Sequence, residues 1–473
     1  MNSTESPVTL EELYAIIRAQ AATIAALQQE VADLKRRLGM NSGNSSQPPS
    51  ADGLKKPRAP VSLRTKSGKK SGGQEGHKGS GLRQTEHPDK IVDHYPDLCA
   101  GCGEALDATA STWHATRQVF DLPEPRPLEV TEHRAHTCVC PCCSATTTGA
   151  FPEDVTAPTQ YGNTLASLIV YLQIQHHIPE ERVVEIMRDV FGIDLATDTA
   201  ANMRKAKAQK FKGLAEAIGE VVKKAPVKHM DETGFRVEGA LAWLHVAATA
   251  LLTFYRLGPQ RGAMLAGTVG IIVHDFWGSY FKMPGVAHAL CNAHLMREMK
   301  ALMENEKETW AFAMFRFLQL TCHAINTAKR LEQSLDPGFI VFLEGRYDRI
   351  VAQGLTYHQG LPPLDDPNNK RRRGKKRHRI GENLLIRLRD YKADILRCLR
   401  DPAVPFTNNQ AEQDVRMMKV RQKVSGSFRT TEGAENFAIL RSVISTARKQ
   451  GWNILQTLAS PNPITLAHNL KTI

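Results

Sequence analysis

At 473 residues the chain exceeds what one ordinary hydrophobic core organises, and roughly two to four domains are expected. Its 42% hydrophobic content suffices for folded domains, and a formal net charge of +12 favours a polyanionic partner while saying nothing of the fold. No run of about 18 apolar residues occurs, which excludes a membrane-spanning helix, and MNSTESPVTLEELY lacks the basic start and apolar core of a signal peptide, so a cytoplasmic protein with reduced cysteines is expected.

Residues 9–39 carry a heptad pattern. Leu10, Ile17, Ile24, Val31 and Leu38 recur on one seam position, and Leu13, Gln20, Leu27 and Leu34 on the other. Branched residues mostly at the first position and leucine mostly at the second favour a parallel two-stranded coiled coil. Thr9 and Glu12 make a capping box, and Gly39 ends the pattern. The alternative is one amphipathic helix on the protein's own core, against which the following linker argues. Residues 40–90 are rich in Ser, Gly, Asn, Pro and Lys and cannot bury enough surface to fold alone. Lys55, Lys56, Arg58, Arg64, Lys66, Lys69 and Lys70 make this a basic flexible linker able to lie along phosphates.

Residues 91–150 hold Cys99-Ala-Gly-Cys102 and Cys140-Pro-Cys-Cys143. Two C-x-x-C knuckles supply four thiolates on tight turns, the donor set of one structural Zn²⁺ in a small zinc ribbon. Cys138 and Cys142 are spare thiols beside the second knuckle. A redox pair is the alternative, but no βαβ pattern surrounds it. Residues 158–224 read as helical. Leu165, Leu168, Ile169 and Leu172 keep helical spacing, Pro179 opens EERVVEIMRDVFG, Gly192 makes a turn, and a long basic helix runs from Asp198 to Lys224. With Arg204, Lys205, Lys207 and Lys210 this is either a DNA-binding-like helix-turn-helix or ordinary bundle packing.

From 226 the period switches to that of strands. PVKHMDETGFRV, ALAWLHVAAT and LLTFYRLG are joined by short turns, a brief helix over 260–265 follows, and GIIVH ends on Asp275. Three meandering strands, a helix and a further strand is the order of an α/β RNase H-like sheet, in which the first and fourth strands are neighbours. Asp231 and Asp275 then sit side by side. Residues 293–400 are mostly amphipathic helices, broken by a polar stretch with Arg371, Arg372, Arg373, Lys375, Lys376, Arg377 and Arg379. Such a run is a solvated loop by default and a backbone grip in a DNA-binding protein. Residues 401–450 bring Asn408, Asn409 and Glu412 at a helix start, then Arg416, Lys419, Arg421 and Lys423. The stretch after 450 reads as a plain tail.

An acid at the end of a buried strand is costly unless a cation or hydrogen bonds satisfy it. Asp231, Asp275 and Glu412 together suit Mg²⁺ (or Mn²⁺), which prefers carboxylate and water oxygens. Two such ions about 4 Å apart can serve in-line displacement at a phosphodiester. Taken singly, DET and HDF are weak signals, since an Asp after a strand is often a cap or turn former.

MDET, HDFWGSY, CNAH ahead of a helical insert, and NNQAEQ with its basic helix resemble the DDE transposases of bacterial insertion sequences, most closely the IS66 family. The likeness covers nearly the whole chain, including the zipper, the GGQEGHKG linker at 72–79 and the ribbon. It implies a multidomain protein. An N-terminal coiled-coil helix (9–39), linker, zinc ribbon and helical segment precede an RNase H-like catalytic core over 226–450. That core has a helical insertion at 293–400, and 451–473 is a tail. It implies Asp231, Asp275 and Glu412 as the metal triad holding two divalent ions. It also implies DNA at element ends and target as substrate, a homodimer or higher oligomer, small accessory proteins of the same element, no membrane, and a bacterial nucleoid-associated location. The family often has Asp before the paired Asn, where this chain has Thr407. Cys291 and His294 match a recurrent C-x-x-H, with His294 read either as a helper near metal or phosphate or as a packed histidine; Asn408 and Asn409 are further auxiliary candidates. Arg204, Lys205, Arg371, Arg372, Arg373, Arg416, Lys419 and Arg421 are the candidate DNA contacts. The alternative is a non-catalytic, zipper-dimerised zinc-ribbon regulator that needs the basic arms but not the acids. A nuclease that cuts without joining is a third.

Overall fold

The computed structural model describes residues 9–41, 43–45, 84–113, 115–121, 128–262, 265–362 and 378–472. The basic linker from 46 to 83 and Arg371, Arg372 and Arg373 lie outside this set. Helix α1, Leu10–Gly39, is continuous, and its seam residues Leu10, Ile17, Ile24 and Leu38 are all more than half exposed. The amphipathic face is therefore not spent on the chain's own core. Its end is fixed by side-chain amides: Asn44 Nδ2 donates to Gly39 O at 2.9 Å and also to Glu304 Oε2 at 2.9 Å. Asn44 is buried, so the helix exit is seated against the body of the protein.

The cysteine region is small. Strands β1 (Thr137–Val139) and β2 (Thr146–Thr148) pair antiparallel around the second knuckle, and Leu98 bridges Ala105 around the first. Gly103 and Ser144, each directly after the last cysteine of a knuckle, both take positive φ, which closes the two turns in the same way.

Helices α2 (Asn163–Val170), α3 (Glu180–Phe191) and α4 (Thr197–Lys224) come next. A π-turn, Tyr171–Gln175, extends α2, and Gly192 ends α3 in the left-handed conformation that glycine tolerates. Phe211, Leu214, Ile218 and Val222 of α4 are buried in the same core as the sheet. The long basic helix is thus a packing helix, continuous with the sheet domain. A Cβ on Gly219 would lie 2.9 Å from the Phe254 ring, so only glycine lets α4 approach the sheet this closely.

The sheet has five strands: β3 (Val227–Val237), β4 (Ala240–Ala248), β5 (Thr253–Gly258), β6 (Gly270–His274) and β7 (Val286–Leu290). Their spatial order is β5-β4-β3-β6-β7. The first three form an antiparallel meander; β6 runs parallel to β3 and β7 parallel to β6. The expected neighbours, the first and fourth strands, are paired from Val227↔Ile271 to His229↔Val273. Two details differ from the sequence reading. Asp231 is not at a strand end: β3 runs on to Val237 because β4 pairs with it throughout, Asp231 opposite Val246. No helix occupies the described part of 260–265; residues 259–262 turn instead.

Helices α5 (Asn292–Ala301), α6 (Thr309–Arg330), α7 (Pro337–Gln359), α8 (Ile380–Asp390) and the single turns α9 (Lys392–Ile395) and α10 (Arg397–Arg400) build a second core on β6 and β7. Asp336 caps α7 through the Phe339 amide, with Pro337 in the first turn. The chain then returns to the first core. Helices α11 (Asn409–Ser425) and α12 (Thr431–Gln450) cover β3, β4 and β5, held by a Lys449–Asp414 ion pair at 2.8 Å. The last segment is no loose tail. In α13 (Ile454–Leu458) Leu458 is buried, and its carbonyl accepts from the buried Lys207 ammonium at 2.7 Å.

Candidate active site

The two cores meet where β3 and β6 part. β6 ends at His274, and the next residue, Asp275, leaves the sheet. β6 no longer pairs with β3 beyond His229, so Asp231 lies two residues past the last β3–β6 pair. Gly270 makes the close start of β6 possible: its φ is +80°, and a Cβ there would lie 2.6 Å from Pro226 O. Glu412 comes from the first turn of α11, which packs on β3 and β4.

Charge is poorly compensated here. Burial pushes the Asp231 carboxyl well above its ordinary value, and Glu232, Asp275 and Glu412 add to the push as neighbouring negative charges. The Glu232 amide, donating to Asp231 Oδ1 at 2.9 Å, pulls the other way. Asp275 is raised too, by burial and then by Glu232, although the Trp277 amide donates to its Oδ1 at 2.9 Å and Arg261 lies 3.9 Å from its Oδ2. Carboxyls raised by burial and by neighbouring acids mark a site with missing positive charge. Asp231 thus lies within electrostatic reach of both Asp275 and Glu412, but the three acids do not close to ligand-to-ligand distance. Among the described residues the tight group of metal-type donors is Cys291, His294 and Glu412, with atoms within 4.8 Å of one another.

That tight group is read by its protons. Arg297 Nη2 lies 3.2 Å from His294 Nε2. A guanidinium only donates, so Nε2 accepts and the imidazole proton sits on Nδ1. Nδ1 in turn faces Glu412 Oε1 at 3.5 Å, and Arg297 Nη2 stands 3.6 Å from the same oxygen. Burial and then Arg297 depress the His294 value, which keeps the ring neutral. Cys291 is enclosed; burial and the Glu412 charge push its thiol up to about 12, and it donates to Glu412 Oε1 at 3.8 Å. Without a metal, a thiol so raised is a hydrogen-bond donor. The donor set that fits a hard divalent cation is the carboxylates.

Asn408 ties the site together. Its Nδ2 donates to Met230 O at 2.7 Å, its Oδ1 accepts from His229 Nδ1 at 2.9 Å, and its backbone N–H points at Cys291 Sγ at 3.1 Å. The start of α11 is thereby pinned to β3 one residue from Asp231 and to the Cys291 turn. Asn409, the first residue of α11, is exposed.

Sequence reasoning overlooked Glu232, Arg261 and Tyr280. The Glu232 side chain is 1% exposed, paired to Arg261 Nε at 2.7 Å and bonded by the Tyr280 hydroxyl. The Arg261 guanidinium lies 3.6 Å over the Trp277 ring and 5.4 Å from Trp243. A buried strand acid demands a cation, but nothing in the local sequence points to the arginine in the distant turn.

The basic candidates divide. Arg416 and Lys419 are exposed on α11, and Lys419 donates to Gly234 O at 2.8 Å. With Glu412 they share one helix face, spaced four and three residues apart. Arg421 turns inward, 3.5 Å over Phe428, and burial lowers it to about 10; an inward ring-stacked guanidinium is not free for phosphate. Arg204 pairs with Glu180 at the α3–α4 junction, and Lys205 pairs with Glu432 at 2.8 Å while remaining exposed.

In the cysteine region, each C-x-x-C turn aims backbone N–H groups at its first sulfur. Those of Cys102 and Gly101 lower the Cys99 thiol, and those of Cys143 and Cys142 lower Cys140. This favours thiolates. Among the described residues the four sulfurs of the two knuckles are not drawn into one cluster.

Comparison with known proteins gives three likenesses. A family model described as "Transposase IS66 family" matches residues 158–436. A family of unknown function, DUF6444, matches residues 2–83. An uncharacterized protein, y4hP, of Sinorhizobium fredii is 21% identical over 421 residues, spanning 81% of this chain and 74% of that protein.

Proposed function

Because the chain belongs to the IS66 transposase family, we propose that it cuts DNA at the ends of its own insertion sequence and joins the freed 3′-hydroxyls to target DNA. Membership implies a divalent metal, and no helix among the described residues is long and apolar enough to cross a membrane. The proposal goes further: an RNase H-like core, with Asp231, Asp275 and Glu412 as the residues that hold Mg²⁺ or Mn²⁺, two ions per site. The observation that carries it is the pair of carboxyls, Asp231 and Asp275, raised by burial and by their acidic neighbours at the opening between β3 and β6.

When bound, the ions supply Lewis acidity, favouring deprotonation of the attacking water or hydroxyl and offsetting charge on the phosphate and leaving oxygen. The chain's own groups do the rest. Asp231 is fixed within a paired ladder, and Glu412 is flanked by the Cys291 thiol, which donates to it, and by His294 and Arg297. Asn408 holds the two walls in register, which matters because a misplacement of about 1 Å can cost a hundredfold in rate. Arg416 and Lys419 extend from Glu412 along α11 and are suited to the DNA backbone, contributing affinity without sequence preference. Zinc in the Cys99, Cys102, Cys140 and Cys143 knuckles, a zipper dimer through α1 and assistance from small accessory proteins complete the proposal.

The test is strand cleavage on DNA carrying the element's own ends. Asp231→Asn is expected to abolish cleavage with Mg²⁺ or Mn²⁺ while duplex binding persists. Wild-type rates from that variant would remove Asp231 from the site. Binding by the wild type with no metal-dependent breakage would favour a non-catalytic regulator.

A further inference from the structure

The Arg261 side chain stands between two acids. Its Nε is 2.7 Å from Glu232 Oε1, and Nη2 is 3.9 Å from Asp275 Oδ2. The first contact is a close ion pair with a carboxylate 1% exposed; the second is loose, toward one 29% exposed. Arg261 is itself 34% exposed, and its guanidinium lies 3.6 Å from the ring of Trp277, the residue whose amide holds Asp275. One arm of the fork is therefore anchored, and the other shares an open carboxylate with solvent. A guanidinium here does part of what a divalent ion would do, since it screens Asp275 from Glu232. It does so incompletely, because the contact to Asp275 is 3.9 Å long.

We propose that Arg261 is a phosphate-binding and positioning residue that stands in as the counter-ion of Asp275 until DNA arrives. The fork presents five donors in a plane, matched to phosphate as well as to carboxylate. When a phosphate of the duplex takes the outer arm, Asp275 is released to the metal, and Arg261 stays tethered through Glu232. DNA and divalent cation then bind with positive coupling, each strengthening the other by the same factor. The proposal rests on the transposase reading of the same acids, and it adds a cation in a turn that the triad does not contain.

The experiment measures metal binding and DNA binding, not turnover. Mn²⁺ affinity of the full-length protein is followed by electron paramagnetic resonance, with and without a duplex of random sequence. Duplex affinity is then measured across salt in Ca²⁺. In the wild type, duplex is expected to tighten Mn²⁺ binding by about tenfold. Arg261→Gln is expected to bind Mn²⁺ more tightly than wild type without DNA, to lose the duplex-dependent gain, and to reduce the salt slope of duplex binding by about one unit. If Arg261→Gln does not fold, Arg261→Lys is read instead. A single ammonium cannot bridge both acids, so the coupling should shrink while the salt slope stays. Undiminished coupling in either variant overturns the proposal and leaves Arg261 a brace for Glu232. Asp275→Asn separates the levels. If it binds Mn²⁺ as the wild type does, the reading of the acids fails, and the proposal falls with it.

Discussion

Asn408→Ala tests how the candidate site is held together. Asn408 is 1% exposed, and its amide makes two hydrogen bonds, to Met230 O at 2.7 Å and to His229 Nδ1 at 2.9 Å. Alanine keeps the backbone N–H that faces Cys291 Sγ but removes both amide bonds. The bond to Met230 O, whose carbonyl faces away from β4, is one ordinary hydrogen bond worth about 1 kcal/mol. His229 is left with a half-buried donor and no amide oxygen to receive it, a penalty of about 1–3 kcal/mol. The sum, about 2–4 kcal/mol, corresponds to roughly 4–16 °C in melting temperature at about 2–4 °C per kcal/mol. Scanning calorimetry and urea unfolding followed by tryptophan fluorescence both report it. Asn408→Asp keeps an acceptor for His229 but turns an anionic oxygen toward Met230 O, so its deficit should narrow as the pH falls and the new carboxyl protonates. A loss below about 0.5 kcal/mol, typical of surface sites, would refute the role given to Asn408.

The raised Asp231 and Asp275 carboxyls carry a definite sign. A carboxyl raised in the folded state contributes stability while protonated, and that stability is lost as pH climbs from the ordinary value of 3.8 through the raised one. In magnesium-free buffer Asp231→Asn should therefore melt above wild type at neutral pH and show a flatter profile; a lower melting temperature would contradict the electrostatics described here. Metal removal by a zinc chelator, or Cys99→Ser and Cys140→Ser singly, should release one zinc per chain by plasma mass spectrometry, and full retention would exclude the knuckles as its holders. Ile24→Lys puts a charge in the exposed seam of α1 and should convert a dimer to monomer in light scattering. An unchanged mass would place the oligomer contact elsewhere.

Much of the sheet was legible because strands announce themselves by composition. GIIVH before Asp275 is an apolar run that ends on a charge, and β6 has those bounds. The extent of β3 was legible too, since PVKHMDETGFRV reads as one extended run and β3 spans Val227–Val237. What the pattern did not show is that Asp231 lies inside the ladder, opposite Val246, and not at its end. Arg421 misled for a related reason: charge on a helix predicts solvent only when the neighbouring elements are known, and Phe428 arrives from the loop after α11. Lys207 is similar, a basic residue of α4 buried under Asn163 and Leu458. The three acids were found through pattern and resemblance; Glu232, Arg261 and Tyr280 required the contact itself, because their partnership joins β3 to a turn and to a short helical turn far along the chain.

The acids differ in how their backbones are held. Asp231 sits inside a hydrogen-bonded ladder and Glu412 in the first turn of a helix whose neighbour Asn408 is locked to β3. Asp275 is on chain that has just left the sheet, steadied by the Trp277 amide and one loosely placed guanidinium. The candidate site therefore has two stiff walls and one compliant one. On the proposed reading, accommodating the shape of a nucleic acid falls to the short stretch around Trp277, and substitutions there should alter which DNA is accepted before they alter whether the protein folds.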